Sequence, residues 1–208
     1  MDGFEKIAMD QFDVALEATP LSQVFKDARI SLELDDPCYI HRGPLTLPGN
    51  FRAPGLCTLI LGDLIVDGLV DLKSPEGFDG HGVFIAIGNV TCRSFSNDWA
   101  EVAVVDGSLL ASDLIINCYE DSMLLVTGDL KTKFFYGRDI WATVGGAADM
   151  DYGDGYCLPA SYRDAAAEAI VPRHDTETSM RLLAAGGEIG EIEYKLLELL
   201  RQAKPVFR

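Results

Sequence analysis

The chain has 208 residues, of which 33 are acidic and 17 are basic, so its formal net charge at pH 7 is −16. Nucleic-acid phosphates and anionic membranes repel so acidic a chain, which excludes nonspecific binding to either as its activity. Hydrophobic residues make up 48% and charged residues 24%, which indicates a packed globular protein and excludes a disordered acidic tail.

The first 55 residues predict a mixed N-terminal cap segment. Residues 11–18 have the pattern of a short helix, residues 28–34 alternate in the manner of a strand, and prolines then mark a loop-rich stretch. The start of the chain lacks a basic segment followed by an apolar one, so no secretory signal is expected. With five cysteines and no C-x-x-C pair, we expect free thiols and a cytoplasmic location.

Residues 56–144 repeat a short phrase in which Gly is followed by Asp, Asn or Ser and then by Leu or Val. Successive glycines of the phrase are separated by 26, 19 and 21 residues. The copies are Gly62-Asp63-Leu64, Gly88-Asn89-Val90, Gly107-Ser108-Leu109 and Gly128-Asp129-Leu130. A weaker fifth copy precedes them at residues 43–49. A period near twenty residues, with segments too short to form independent strands, is typical of a solenoid.

The predicted fold is mainly β: a single-stranded right-handed β-solenoid, similar to a β-helix, with its repeats over residues 56–144. The apolar residue after each corner is expected to face inward, so one internal ladder is predicted from Leu64, Val90, Leu109 and Leu130. The Gly permits a sharp turn or close packing, and the polar residue after it is expected to hydrogen-bond to neighbouring backbone. An antiparallel sandwich whose hairpins share Gly-Asp turns is the alternative.

Residues 145–208 predict an acidic loop followed by an α-helical C-terminal cap. Helical patterns occur at residues 164–170, 180–185 and, most clearly, 188–202, where Ile192, Leu196 and Leu199 form one apolar stripe. Because solenoids need their terminal coils covered, a helical cap has a physical role here.

In its repeats the chain resembles a group of poorly characterised bacterial β-solenoid proteins. The resemblance covers roughly residues 55–208 and rests on Gly-Asp-Leu rungs, a late aromatic-Gly rung and a closing helix with a Pro-Val-Phe-Arg end. The matching residues are Gly62-Asp63-Leu64, Gly128-Asp129-Leu130, Phe134-Phe135-Tyr136-Gly137 and Lys204-Pro205-Val206-Phe207-Arg208. The resemblance implies the fold but no established reaction. Some members are associated with toxin–immunity systems, which suggests an immunity role.

The sequence contains no recognisable catalytic constellation, so we expect no enzyme activity, no metal and no cofactor. His41, His81 and His174 lie at least 40 residues apart, and only His41 has a cysteine, Cys38, within a few residues, so the paired ligand spacings of common zinc sites are not met. Ser108 occupies a corner position and lacks the G-x-S-x-G elbow of a hydrolase. Calcium binding at residues 149–154 stays open, although the spacing of an EF-hand is not met.

Aromatic and acidic residues cluster around the start of the C-terminal zone and define the predicted partner-binding surface. Exposed Tyr and Trp side chains among carboxylates favour protein binding, because such aromatics anchor interfaces. The candidate contact residues are Tyr136, Asp139, Trp141, Asp149, Asp151 and Asp154. The alternative is that the aromatic side chains fill the junction between the last coil and the helical cap.

The favoured function is a non-enzymatic protein-binding scaffold, a bacterial immunity protein that neutralises a cognate basic toxin as a monomer or homodimer. A rigid, strongly acidic solenoid suits fast, salt-dependent association with a basic protein partner. Neither nucleic acid nor a membrane is expected as a partner. Two alternatives stay open: a self-assembling structural solenoid like the bactofilin filament proteins, and a solenoid enzyme or carbohydrate-binding protein.

Overall fold

The computed structural model describes residues 3–28, 32–73, 82–118, 121–138, 140–155, 159–161, 177, 181–184 and 192–208. The chain is mainly β and winds into a β-solenoid of about six turns, followed by a short C-terminal helix. The solenoid predicted from the repeats is confirmed. The antiparallel sandwich is excluded, because strands from successive coils pair in parallel.

Successive coils contribute strands to two parallel sheets. In spatial order, the first sheet contains β1 (Glu5–Ile7), β2 (Cys38–Arg42), β5 (Cys57–Leu61), β7 (Gly82–Ala86), β9 (Ala100–Val105), β11 (Ser122–Val126), β13 (Ile140–Val144) and β15 (Ala160–Ser161). The second sheet contains β3 (Leu45–Leu47) and β4 (Phe51–Arg52), which both pair with β6 (Leu64–Asp71), then β8 (Val90–Asn97), β10 (Leu109–Asn117), β12 (Leu130–Gly137) and β14 (Ala148–Gly155). The helices whose bounds fall within the described residues are α1 (Met9–Glu17), α2 (Leu21–Ala28) and α3 (Ile192–Arg201). Strand β1 is antiparallel to β2.

The interior of the coils contains the ladder predicted from the repeat. The four predicted members occupy equivalent positions on neighbouring strands and are completely buried: Leu64, Val90, Leu109 and Leu130. Leu45 extends the ladder before them and Ala148 extends it after them. The weak copy at residues 43–49 is therefore confirmed as a coil. The ladder side chains pack into one core cluster, in which Leu45 at the end of the ladder is only partly buried.

The repeated glycines lie where the backbones of successive coils come closest together. A Cβ atom added to Gly107 would lie 2.6 Å from the carbonyl oxygen of Gly88, and one added to Gly128 would lie 2.8 Å from the same atom of Gly107. Cβ atoms do not approach backbone this closely. The glycines are required because the corner has no space for a side chain.

The polar residues after the glycines form a hydrogen-bonded ladder along the same corner. Asp63 Oδ1 accepts the backbone N–H of Asn89 at 2.7 Å, and Asn89 Oδ1 accepts that of Ser108 at 2.9 Å. Ser108 Oγ accepts the N–H of Asp129 at 3.1 Å, and Asp129 Oδ1 accepts that of Ala147 at 2.8 Å. The predicted corner role of these side chains, including Ser108, is therefore confirmed.

The long strands of the second sheet bend near their middle. The pairing register shifts between Val66 and Leu69 in β6 and between Ala111 and Leu114 in β10. Residues before this bend form the first half of each strand, and residues after it form the second half. Val66 and Val70 both face the coil interior, whereas Leu69 belongs to a separate apolar cluster outside it. The bend thus creates two outward faces on one sheet.

The helices pack against two of the outward faces. Buried side chains of α1 and α2, such as Phe12 and Leu21, form one apolar cluster with the outward side chains of the first sheet, such as Leu59 and Val104. Buried side chains of α3 contact the second halves of β6, β10 and β12. These strands are therefore buried on both sides, as is usual for parallel sheets. The predicted C-terminal helix is confirmed, and it lies along the side of several coils.

The coils extend beyond the predicted repeat region of residues 56–144. They begin with β2 and β3, inside the predicted N-terminal cap segment, and they end with β14 and β15. The prediction of an acidic loop after residue 145 is wrong, because Gly146 and Ala148 continue the corner and the internal ladder without the Asp and Leu of the phrase. Residues 149–154 consequently form strand rather than loop.

The predictions for individual elements had mixed outcomes. The short helix at residues 11–18 is confirmed as α1. The strand predicted at residues 28–34 is wrong where the chain is described, because residue 28 ends α2 and residues 32–34 form neither helix nor strand. That edge of the first sheet is occupied instead by β1. The helix predicted at residues 164–170 lies outside the described residues.

Candidate partner-binding surface

One outward face of the coils is left uncovered by the described helices, and we call it the open face. It consists of the first halves of β6, β8, β10, β12 and β14, where exposed side chains alternate with the internal ladder. One exposed row, with one residue from each strand, changes from apolar to charged: Ile65, Thr91, Leu110, Lys131 and Asp149. In the described part of the chain, this face is therefore accessible to solvent.

A groove with a volume of about 380 Å³ lies on the open face. Cys92, Ala111 and Thr132 line its floor, and each of these side chains is otherwise buried in the coil. Its rim consists of Thr91, Leu110, Ser112, Lys131, Lys133, Asp149 and Asp151. The groove therefore offers apolar, hydroxyl, ammonium and carboxylate groups to a ligand.

Two ion pairs that are largely accessible to solvent lie on the open face or at the bend beside it. Lys131 Nζ lies 3.1 Å from Asp149 Oδ2, with 67% of each side chain exposed. Arg93 Nε donates to Asp113 Oδ2 at 2.9 Å. Exposed pairs of this kind contribute about 0.2–1 kcal/mol, so their groups exchange readily for those of a partner.

The predicted contact residues do not form a single patch. Asp149 and Asp151 are exposed on the open face, as the prediction of a contact surface requires. Trp141 is also exposed, but it belongs to β13 of the first sheet. Asp154 is buried in the second half of β14. Asp139 lies outside the described residues.

Tyr136 packs beneath α3 and is not a surface residue. Its hydroxyl donates to Glu193 Oε2 at 3.1 Å, and Arg138 forms an ion pair with the other oxygen of the same carboxylate. Burial, and next the negative charge of Glu193, raise the pKa of Tyr136 above its ordinary value. The structure therefore supports the alternative interpretation for this residue, namely packing at the junction with the helix.

Trp141 ends a row of outward side chains on the first sheet. The row runs from Val102 through Met123 to Trp141, which occupy equivalent positions on β9, β11 and β13. Val102 is 6% exposed, Met123 is half-buried, and Trp141 is 69% exposed. The apolar row thus emerges into solvent at Trp141, which is the largest exposed aromatic side chain of the described residues.

A partly buried ion-pair network at the other end of α3 had no signal in the sequence. Arg201 donates to both carboxylate oxygens of Asp71, at 3.1 and 2.9 Å, and to Asp98 at 2.7 Å. Arg52 also contacts Asp71, at 3.2 Å. The Arg201 and Asp71 positions are 130 residues apart in the chain, so only the docking of α3 brings them together. Together with Glu193, this network fastens both ends of the helix.

The structure offers no metal site among the residues that it describes. In those ranges, no group of three or more His, Cys, Asp and Glu side chains is arranged to hold an ion. Asp149 and Asp151 lie on the open face, whereas Asp154 is buried in the other half of β14, so these carboxylates do not converge as calcium ligands. His41 contacts the carbonyl oxygen of Gly3 at 2.6 Å, and His81 and His174 are not described.

No protein-family model, curated protein or solved structure matches this chain. In the described part of the chain, every helix is too short or too polar to span a lipid bilayer.

Proposed function

We propose that this protein is a non-enzymatic binding scaffold, specifically an immunity protein that neutralises a cognate basic toxin. The observation that carries the proposal is Trp141, an exposed aromatic side chain at the end of an otherwise covered apolar row. Trp is enriched among the residues that dominate interface energies, so an exposed Trp suits the role of an interface anchor.

The net charge of −16 supports a basic partner. Opposite charge accelerates association and makes it sensitive to salt. Asp149 and Asp151 are the acidic members of the predicted contact set that are exposed, so they remain proposed contact residues. Tyr136 and Asp154 are withdrawn from that set, because both are buried.

The first experiment isolates proteins that co-purify with the chain from its native host and compares two variants. Trp141→Ala is expected to weaken the affinity for the captured partner about tenfold or more, which is the size of effect that one interface hot spot produces. Tyr194→Ala is the matched control, because Tyr194 is a comparably exposed aromatic, 71% against 69%, on the remote helix α3. If both variants retain the co-purifying partner equally well, Trp141 is not the anchor of the interface.

The second experiment separates local contacts from bulk charge. Reversal of Asp149 and Asp151 to Lys is expected to weaken binding more than reversal of Asp10 and Asp13, which are exposed acids of α1 and give the same change in net charge. The captured partner must inhibit growth when expressed alone and lose that effect when this protein is co-expressed. A partner without toxicity would refute the immunity role.

A second candidate function is binding of a carbohydrate or other small molecule in the groove of the open face. Its volume and its mixture of hydroxyl, ammonium and carboxylate groups favour this use. A glycan array combined with Lys131→Gln and Asp151→Asn variants tests it. Lack of binding to every glycan, in the presence of a confirmed protein partner, would eliminate it.

A further inference from the structure

Two cysteines face each other on neighbouring strands beneath the N-terminal helices. Cys38 of β2 and Cys57 of β5 are register partners, and both are completely buried. They belong to the apolar cluster that α1 and α2 form with the outer face of the first sheet. Both are free thiols in the structure.

The backbone of Asp35 joins the two sulfur atoms. Its carbonyl oxygen lies 3.2 Å from Cys57 Sγ and 3.5 Å from Cys38 Sγ, within reach of either thiol proton. Its N–H donates to Cys57 Sγ at 3.3 Å. Asp35 lies in residues 32–37, which form neither helix nor strand. Segments without regular structure open locally more readily than packed strands, and peroxide needs such an opening to reach the two buried sulfur atoms.

This arrangement favours a thiolate at Cys57. A hydrogen bond from Cys38 lowers the pKa of Cys57, and the N–H of Asp35 acts in the same direction, against the effect of burial. The pKa of Cys38 is raised, first by its hydrogen bond with Cys57. Burial raises the pKa of Cys92 and raises that of Cys118 to about 12. Cys57 is therefore the described cysteine best suited to act as a nucleophile.

We propose that Cys38 and Cys57 are a redox-active pair that a hydroperoxide oxidises to a disulfide. The Cys57 thiolate attacks one oxygen of hydrogen peroxide, the O–O bond breaks, and the leaving hydroxide takes a proton to become water. The Cys38 thiol then attacks the resulting sulfenic sulfur, the S–O bond breaks, and a second water leaves with the Cys38 proton. The two thiols lose two electrons, which reduce the peroxide.

The position of the two residues permits this bond. Neighbouring strands lie about 4.8 Å apart, which falls within the Cα separation of about 4.4–6.8 Å that disulfides span. Cys92 and Cys118 are in or beside the second sheet, so neither is a register partner of Cys57. The inference is independent of the proposed function, since it concerns only the isolated chain.

The test treats the folded wild-type protein with hydrogen peroxide, alkylates the remaining thiols after denaturation and identifies linked peptides by mass spectrometry. We expect a Cys38–Cys57 disulfide, reversible by dithiothreitol, with loss of free Cys57 at least about tenfold faster than loss of free Cys92. Free Cys57 after prolonged treatment, or linkage mainly to another cysteine, would overturn the proposal. This measurement uses the wild-type protein alone, so its result does not depend on whether a variant folds.

Variants assign the two roles. Cys38→Ser is expected to stop at the sulfenic acid of Cys57, which dimedone traps, whereas Cys57→Ser is expected to leave Cys38 reduced. Cys92→Ser is the control and should retain the disulfide. Trapping of Cys38 rather than Cys57 would reverse the assignment and refute the mechanism as written.

Discussion

Arg201 offers the sharpest test of how the C-terminal helix is attached to the coils. Arg201→Met removes the guanidinium but keeps much of the apolar stem of the side chain. Asp71 then loses two hydrogen bonds and Asp98 loses one. The Asp71 side chain is only 4% exposed, so its carboxylate depends mainly on protein partners.

The expected loss in the free energy of unfolding follows from this geometry. Removing one partner of a buried ion pair costs about 3–5 kcal/mol, because a buried charge is left uncompensated. Arg52 remains 3.2 Å from Asp71, so we expect the lower end, about 3 kcal/mol. For a chain of this size, that loss lowers the melting temperature by about 6–12 °C.

Thermal unfolding followed by circular dichroism measures the effect, with Arg42→Met as the matched control. Arg42 also pairs with a carboxylate, but the pair is 3.9 Å long and both side chains are 65% exposed. Such a pair contributes at most about 1 kcal/mol. Equal shifts for the two variants would refute the reasoning, since α3 would then be held by its apolar contacts alone.

Three further predictions concern the internal ladder, the corner and the helix junction. Leu109→Ala should lower the free energy of unfolding by about 3 kcal/mol in urea titrations, whereas Leu110→Ala, at the adjacent exposed position, should change it by less than about 1 kcal/mol. If the two variants lose equal stability, the assigned strand phase is wrong. Asp129→Ala should cost about 1 kcal/mol through loss of one corner hydrogen bond, and a neutral result would show that solvent replaces it. The raised pKa of Tyr136 means that its contribution to stability is full below pH 10 and is lost as the pH rises through the folded-state pKa. Ultraviolet titration should detect one late-ionising tyrosine that Tyr136→Phe removes, and ordinary titration of every tyrosine would contradict the buried contact with Glu193.

Much of the fold was predictable because the repeat imposes the same local requirement on every coil. Gly107 is needed where two backbones nearly touch, Ser108 supplies the next coil with a hydrogen-bond acceptor, and Leu109 enters the interior. These constraints act on three adjacent residues, so they produce a short motif that can be recognised in the sequence. The last coil was not predicted, because Ala147 stands at the polar position of the phrase and Ala148 at its large apolar position.

The candidate surface was less predictable, since exposure depends on which segments cover the coils. Tyr136 and Trp141 have similar sequence surroundings, yet α3 buries the first and no described element buries the second. Strict alternation in β14 places Asp151 outward and Asp154, three residues later, inward. After the bend, however, Asp154 pairs with Tyr136, whose side chain lies beneath α3, so the covering of this half by the helix is what alternation could not predict.

The sequence by itself determined the solenoid, its corners and its internal ladder, because these depend on contacts between equivalent positions of adjacent coils. Only the tertiary structure decided which outward faces are free. Helices α1, α2 and α3 come from chain segments outside the repeat, and they are held by apolar packing and by ion pairs such as Arg201 with Asp71, between residues far apart in the chain. The acidic composition predicted a partner of opposite charge, whereas the exposure of Trp141, Asp149 and Asp151, the proposed contact residues, was decided by the folded chain.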